Sequence, residues 1–199
     1  PFLILTLVSL ALLFSLFSLL ITSSIGEAQE TVDHSSWDQL LKRYVRDGLV
    51  DYQGLLEVKA EVDDYLKTLE AVSVEKLGDA SREERIAFWI NLYNASVIQM
   101  VLEEYPVKRF DEIPAAFEIR GIRAVGEFFS LSELRDRVLR QGFRDERILL
   151  ALVSGRLDSP KLLAEAFYGG RLEEQLNRAV YQFVEDETRN QIKAGSKKV

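Results

Sequence analysis

The stretch Ala87-Phe88-Trp89-Ile90-Asn91-Leu92-Tyr93-Asn94-Ala95 decides how this chain is read. Apart from its two asparagines, every residue in it is apolar or aromatic. A helix that is apolar nearly all round belongs in an interior, so this segment is expected to be the buried core helix. Ser81 with Glu84 three residues on is a capping-box signal, and Pro106 cannot continue a helix. The predicted helix therefore runs from about Arg82 to Glu104. Asn91 and Asn94, three apart, share a face. A buried amide without partners costs about 1–3 kcal/mol, so the pair either ties the helix to irregular backbone near Ser154 or lines a polar pocket. The first reading is favoured, because side-chain amides commonly satisfy loop backbone.

Working outward toward the N-terminus, Ser36 and Gln39 carry a second capping-box signal. Trp37, Leu40, Leu41, Tyr44 and Val45 recur at helical spacing, and Gly48 stops the pattern. Leu49-Val50-Asp51-Tyr52 reads as a turn or strand fragment. Val58, Val62, Tyr65, Leu66 and Leu69 mark another amphipathic helix. Toward the C-terminus, Phe117, Ile119, Ile122 and Val125 alternate around Arg120-Gly121, which suggests a small hairpin turning there. Ser130 and Glu133 cap a helix that ends near Arg140. The apolar run Arg147-Ile148-Leu149-Leu150-Ala151-Leu152-Val153 is a candidate buried strand, although periodicity alone does not separate strand from helix in so short a run. Leu172, Leu176, Ala179, Val180 and Phe183 mark a last helix. The fold class is α+β: a predominantly helical single domain over residues 33–190 with a small β-sheet. Residues 191–199 read as a disordered tail.

Before the domain stands an apolar segment. Residues Pro1 to Thr22 carry no charge, and the first ionisable side chain is Glu27. As a helix, 22 residues rise roughly 33 Å, about the thickness of a bilayer core. That is long for a secretory h-region, yet Gly26-Glu27-Ala28 places small residues as signal peptidase prefers. Residues 1–28 are therefore expected to form an apolar N-terminal helix, either a signal peptide or a membrane anchor. The destination is a secreted, periplasmic or membrane-anchored protein.

Beyond Gln29 the chain holds all 25 Lys and Arg against 31 acids, a net charge of −6. Phosphate binding needs a basic surface, so nucleic acid is disfavoured as a partner. A generic anionic-lipid binder is disfavoured on the same ground. The chain has no cysteine and a single histidine, His34. Disulfides, thiolate metal sites, a cysteine nucleophile and a multi-histidine zinc site are thereby excluded. No residue pattern calls for a cofactor.

Several stretches together resemble the domain-of-unknown-function family 547. They are Asp33-His34-Ser35 with Trp37 and Tyr44-Val45, then Gly48-Leu49-Val50-Asp51-Tyr52, then Phe88 through Ala95. Ser130-Leu131, Leu139-Arg140, Asp145 with Arg147-Ile148, Glu165-Ala166-Phe167, Arg171-Leu172 and Gln175-Leu176 follow in order. The resemblance implies more than is present here. Family members typically carry a Glu-His pair on the helix before the apolar run, a His within that run, and an Asn-Cys-Ala-Ser-x-Ser-Cys-Pro-Pro-Leu segment after it. A Cys beside a His is how a thiolate nucleophile is made, so the resemblance implies a thiol hydrolase or transferase, papain-like in descent. In this chain the Glu-His pair falls on Arg135 and Asp136, and the second His on Leu149. The two Cys positions fall on Ser154 and Ser159, the latter followed by Pro160.

Candidate residues follow from this comparison and from the chemistry available. Ser154 is the candidate nucleophile, but it needs a general base within about 3 Å, and the one histidine, His34, lies far off in sequence beside a capping serine. Val153-Ser154-Gly155-Arg156 is also not a nucleophile-elbow pattern. Asp136 and Asp158 are the candidate pair of carboxylates for acid–base work, against the simpler reading of solvated surface acids. Asn91, Tyr93, Asn94 and Arg147 are the candidate ligand pocket, with Arg147 equally suited to pairing an acid such as Asp51 or Asp145. The reading that follows is a non-catalytic binding or scaffold module for an unknown protein or small ligand in the cell envelope, in contact with the membrane through residues 1–22 where these are retained. A hydrolase of altered chemistry using Ser154 is the alternative.

Overall fold

The computed structural model describes residues 31–118, 121–156 and 159–186. The apolar leader, the tail, and the sequence positions Arg120 and Asp158 lie outside the described residues. Helix α1 (Ser35–Tyr44) leads into a two-stranded hairpin, β1 (Val45–Arg46) and β2 (Leu49–Val50). Three helices follow: α2 (Tyr52–Glu57), α3 (Lys59–Glu70) and α4 (Val74–Asp79). Helix α5 (Arg82–Glu103) is the long central one. A second antiparallel hairpin pairs β3 (Ile122–Ala124) with β4 (Glu127–Phe129). Helix α6 (Leu131–Glu133) runs directly into a π-helix over Leu134–Gln141. A 3-10 helix (Glu146–Ala151) and a 3-10 turn (Gly169–Arg171) precede the last helix, α7 (Leu172–Val184). The α+β expectation holds at this level, a mostly helical domain with two small antiparallel sheets.

Helix α5 is the axis of the core. Every residue from Ile86 to Ile98 is buried, including Asn91, Asn94 and Ser96. Its first turn carries the expected capping box, Ser81 Oγ accepting from Glu84 N while the Glu84 carboxylate accepts from Ser81 N. Thr31 adds two more donors to Glu84, from its backbone N at 2.8 Å and its hydroxyl at 3.0 Å. Helix α3 packs beside it and α1 packs against α3, through Trp37, Leu40, Leu41, Val62, Tyr65 and Leu69, with Trp37 stacked on Tyr65 at 5.4 Å.

Four local expectations need correction. The Ser36/Gln39 capping box is not formed. His34 occupies the N-cap of α1, which puts Trp37 at the third helical position where the box needs a Glu or Gln; Ser35 N donates instead to Asp33 Oδ1. The second hairpin turns at Val125-Gly126, both at positive φ, rather than at Arg120-Gly121. Asp47-Gly48 makes the same two-residue positive-φ turn in the first hairpin. Gly48 also has no room for a Cβ, which would sit 2.5 Å from the Lys161 side chain.

The helix after Ser130 keeps its capping box but leaves α geometry after Glu133. Leu134 and Leu139 are both fully buried. A spacing of five falls on different faces of an α-helix, and i→i+5 bonding brings it back to one. Finally, the apolar run after Arg147 is a 3-10 helix and not a strand. Asp145 starts it by accepting from Arg147 N, and Ile148 and Ala151, three apart, take its buried face. No neighbouring strand among the described residues offers it a ladder.

Candidate functional site

Asn91 and Asn94 project from α5 toward two irregular segments, and each uses both ends of its amide. Asn91 Nδ2 donates to Phe167 O at 2.8 Å while its Oδ1 accepts from Phe167 N at 2.9 Å. Asn94 Nδ2 donates to Ala151 O, and its Oδ1 accepts from Val153 N, both at 3.0 Å. Each amide thus imitates a strand neighbour for backbone that has none, which meets the requirement that buried N–H and C=O groups be paired. Two further buried side chains complete the clamp on the first segment. Asp38 Oδ1 accepts from Ala166 N, and Gln175 donates to Ala166 O while accepting from Tyr168 N. The sequence does not single out Asp38, and it marks Gln175 only within the family-like Gln175-Leu176. For Asp38 the signal is a polar residue on an otherwise apolar helix face, the same that marks the two asparagines.

The turn of α5 at Tyr93-Asn94 is where the family-like positions converge. Tyr93 is buried, and its hydroxyl is pushed up to about 12 by desolvation, with the charges of Arg135 and Asp136 acting on it from the π-helix. Arg135 and Asp136 close on each other in a bidentate pair, at 3.0 and 2.7 Å. That pair holds the Asp136 carboxyl below its ordinary range. On the other side, Asn94 holds Val153, and half-buried Ser154 follows. Gly155, next in the chain, adopts a positive φ of 67° against the Phe110 ring, where a Cβ would lie 2.5 Å from ring carbon.

The other candidates go elsewhere. His34 is buried at 3 % exposure, its Nδ1 2.8 Å from the Tyr65 hydroxyl, with Tyr168 edge-on to its ring. Burial pushes its pKa down to about 4. No hydrogen bond joins it to Ser154 among the described residues. Arg147 reaches α7: it pairs bidentately with Asp145, at 3.0 and 2.7 Å, and with Glu173, at 2.9 Å twice, and donates to Asn177. Of its two expected partners, Asp145 is therefore the real one. The larger described cavity, of about 620 Å³, opens between α3, α5 and β3. Its walls carry the ion pairs Lys59–Asp63 and Arg123–Glu70 above a floor that includes Leu92 and Met100. None of the four candidate pocket residues lines it. Among the described residues no three carboxylate or imidazole side chains are grouped to hold a metal ion, and no helix is long and apolar enough to cross a membrane.

The architecture defines a class: a helical α+β domain wrapped on one buried helix, whose asparagines fasten two irregular segments to it. The model of a family described as "Protein of unknown function, DUF547" matches residues 77–184, and the chain belongs to that family. No curated protein and no solved structure matches it.

Proposed function

We propose that this protein is an exported or membrane-anchored domain that binds or scaffolds a partner and does not catalyse, descended from a thiol-enzyme-like, papain-like ancestor. The observation that carries the reading is the state of the Tyr93-Asn94 turn. Where the family resemblance implies an imidazole there is a closed Arg135–Asp136 ion pair, and Leu149 fills the second position. The Asn94 amide beside Ser154 is committed to Ala151 and Val153. A serine nucleophile needs a base in hydrogen-bond reach, and among the described residues no imidazole or carboxylate is hydrogen-bonded to Ser154. The uncharged run from Pro1 to Thr22 supports the destination.

A fluorophosphonate probe tests the central claim. The purified protein is expected to stay unlabelled. Labelling that disappears in Ser154→Ala would establish the alternative, a serine hydrolase with a base supplied in some other way. The destination is tested separately by fractionating cells and measuring the mass of the mature N-terminus: cleavage after Ala28 leaves Gln29 first, and anchoring keeps residues 1–22. Recovery of the protein in the cytosol with its leader intact would overturn export.

A further inference from the structure

Besides Arg135, the π-helix, the loop after it and the first turns of α5 carry five arginines, of which Arg85, Arg137 and Arg144 have no carboxylate partner among the described residues. Arg137, Arg140 and Arg144 are exposed on the π-helix and the loop after it, and Arg82 and Arg85 stand one turn apart at the start of α5. Two contacts bring these segments together. Arg82 donates to Phe143 O at 2.8 Å and lies over the Phe143 ring at 5.9 Å. Arg137 lies over the Phe129 ring at 5.5 Å, and that ring packs edge-on against Trp89, one helical turn beyond Arg85. Neither segment contains a lysine.

Two of the acids nearby are held by other arginines, and the charge of Arg82 acts on Asp145 and Glu173 without a direct ion pair. Asp136 is held by Arg135, and Asp145 by Arg147. Arg140 reaches Glu146 only at 3.9 Å. Among the described residues no carboxylate pairs with Arg85, Arg137 or Arg144, and Arg85 Nε is buried without an acceptor. Like charges gathered this way repel one another, in a chain whose net charge of −7 left ample acids for pairing. Rings beneath two of the guanidiniums hold them in place before any partner arrives, which lowers the ordering cost of binding.

We propose that this face docks an acidic, carboxylate-bearing segment of a protein partner. The guanidinium fork matches a carboxylate bidentately, which an ammonium does not. A membrane or nucleic acid is the poorer occupant, because an extended polyanion also meets the repulsion of the acidic remainder of the protein. A peptide reaches only the face itself, within a Debye length of its charges. The proposal deepens the binding-module reading by giving the module a partner.

The test uses the full chain, a fluorescein-labelled Asp/Glu-repeat peptide and fluorescence anisotropy. Saturable binding is expected, weakening about tenfold between about 50 and 200 mM salt. The exposed double variant Arg137→Gln with Arg144→Gln should weaken it about tenfold, and the matching double lysine variant about threefold, because charge remains while the fork is lost. Absence of saturable binding, or equal binding by the double glutamine variant, overturns the proposal. So does retention on phosphatidylglycerol vesicles, or capture of tripolyphosphate, that depends on Arg137 and Arg144 while the peptide does not bind. Failure here leaves Ser154 unlabelled and the non-catalytic reading standing; labelling at Ser154 removes that reading without touching peptide binding.

Discussion

Asn91 carries two hydrogen bonds to one residue, Phe167, in the buried interior. Removing the amide leaves a buried N–H and a buried C=O unpaired. Asn91→Ala is therefore expected to destabilise the domain by about 3 kcal/mol, read as a lower urea midpoint. Asn91→Asp should be no milder, because a carboxylate still accepts from Phe167 N but repels Phe167 O. A change within the range of exposed-site substitutions would show that Phe167 finds other partners. His34 makes a pH-dependent contribution of definite sign. Its folded pKa of about 4 lies below the ordinary imidazole value of 6.5, so the unfolded chain binds the proton first as pH falls. Stability from this residue is complete above about pH 6.5 and declines toward pH 4, by about 3 kcal/mol in all. Unfolding free energies across that window should slope in the native protein and flatten in His34→Gln.

Helix α5 begins where Ser81, Glu84 and Thr31 meet, and the element owes its fixed start to that junction. Ser81→Ala is expected to cost about 1 kcal/mol, the usual loss for an N-cap, visible as a lower thermal midpoint. The donors from Thr31 and Ser81 pull the Glu84 carboxyl down to about 2. Its contribution is thus present above pH 4.5 and lost as pH falls toward 2, mostly below the window of His34. The 3-10 helix over Glu146–Ala151 depends on Arg147 in a similar way. This side chain ties the start of the helix, through Asp145, to Glu173 and Asn177 on α7. Because the Arg147 side chain is about a third exposed and Glu173 is mostly exposed, Arg147→Ala should cost only about 1 kcal/mol. Amide exchange in the 3-10 helix and the first turns of α7 should nevertheless speed up markedly. Unchanged exchange there would mean that Ile148 and Ala151 alone hold the element.

Across the whole molecule, the positions to which the resemblance assigns reactive side chains hold an ion pair, a leucine and two serines. Installing a thiol tests whether the rest of a centre survives around it. Ser154→Cys is expected to alkylate with iodoacetamide at the rate of an ordinary thiol, with no activation at neutral pH, since no imidazolium stands beside it to lower its pKa. A pKa well below 8 in the alkylation profile would reveal a concealed activating group and reopen the catalytic reading. By itself the sequence determined the core helix, its capping box, the last helix, the α+β class and the family, because these follow from local periodicity and side-chain chemistry along one segment. It also marked Asn91 and Asn94 as amides in need of partners. Only the tertiary structure decided which partners these were, since Phe167 and Ala151 lie more than fifty residues away. The same holds for the run after Arg147, which became a 3-10 helix because packing offered it α7 and no second strand. The turn at Val125-Gly126 and the widened π-helix are likewise products of burial on the assembled core, where the pairing register and a five-residue leucine spacing outweighed local propensity.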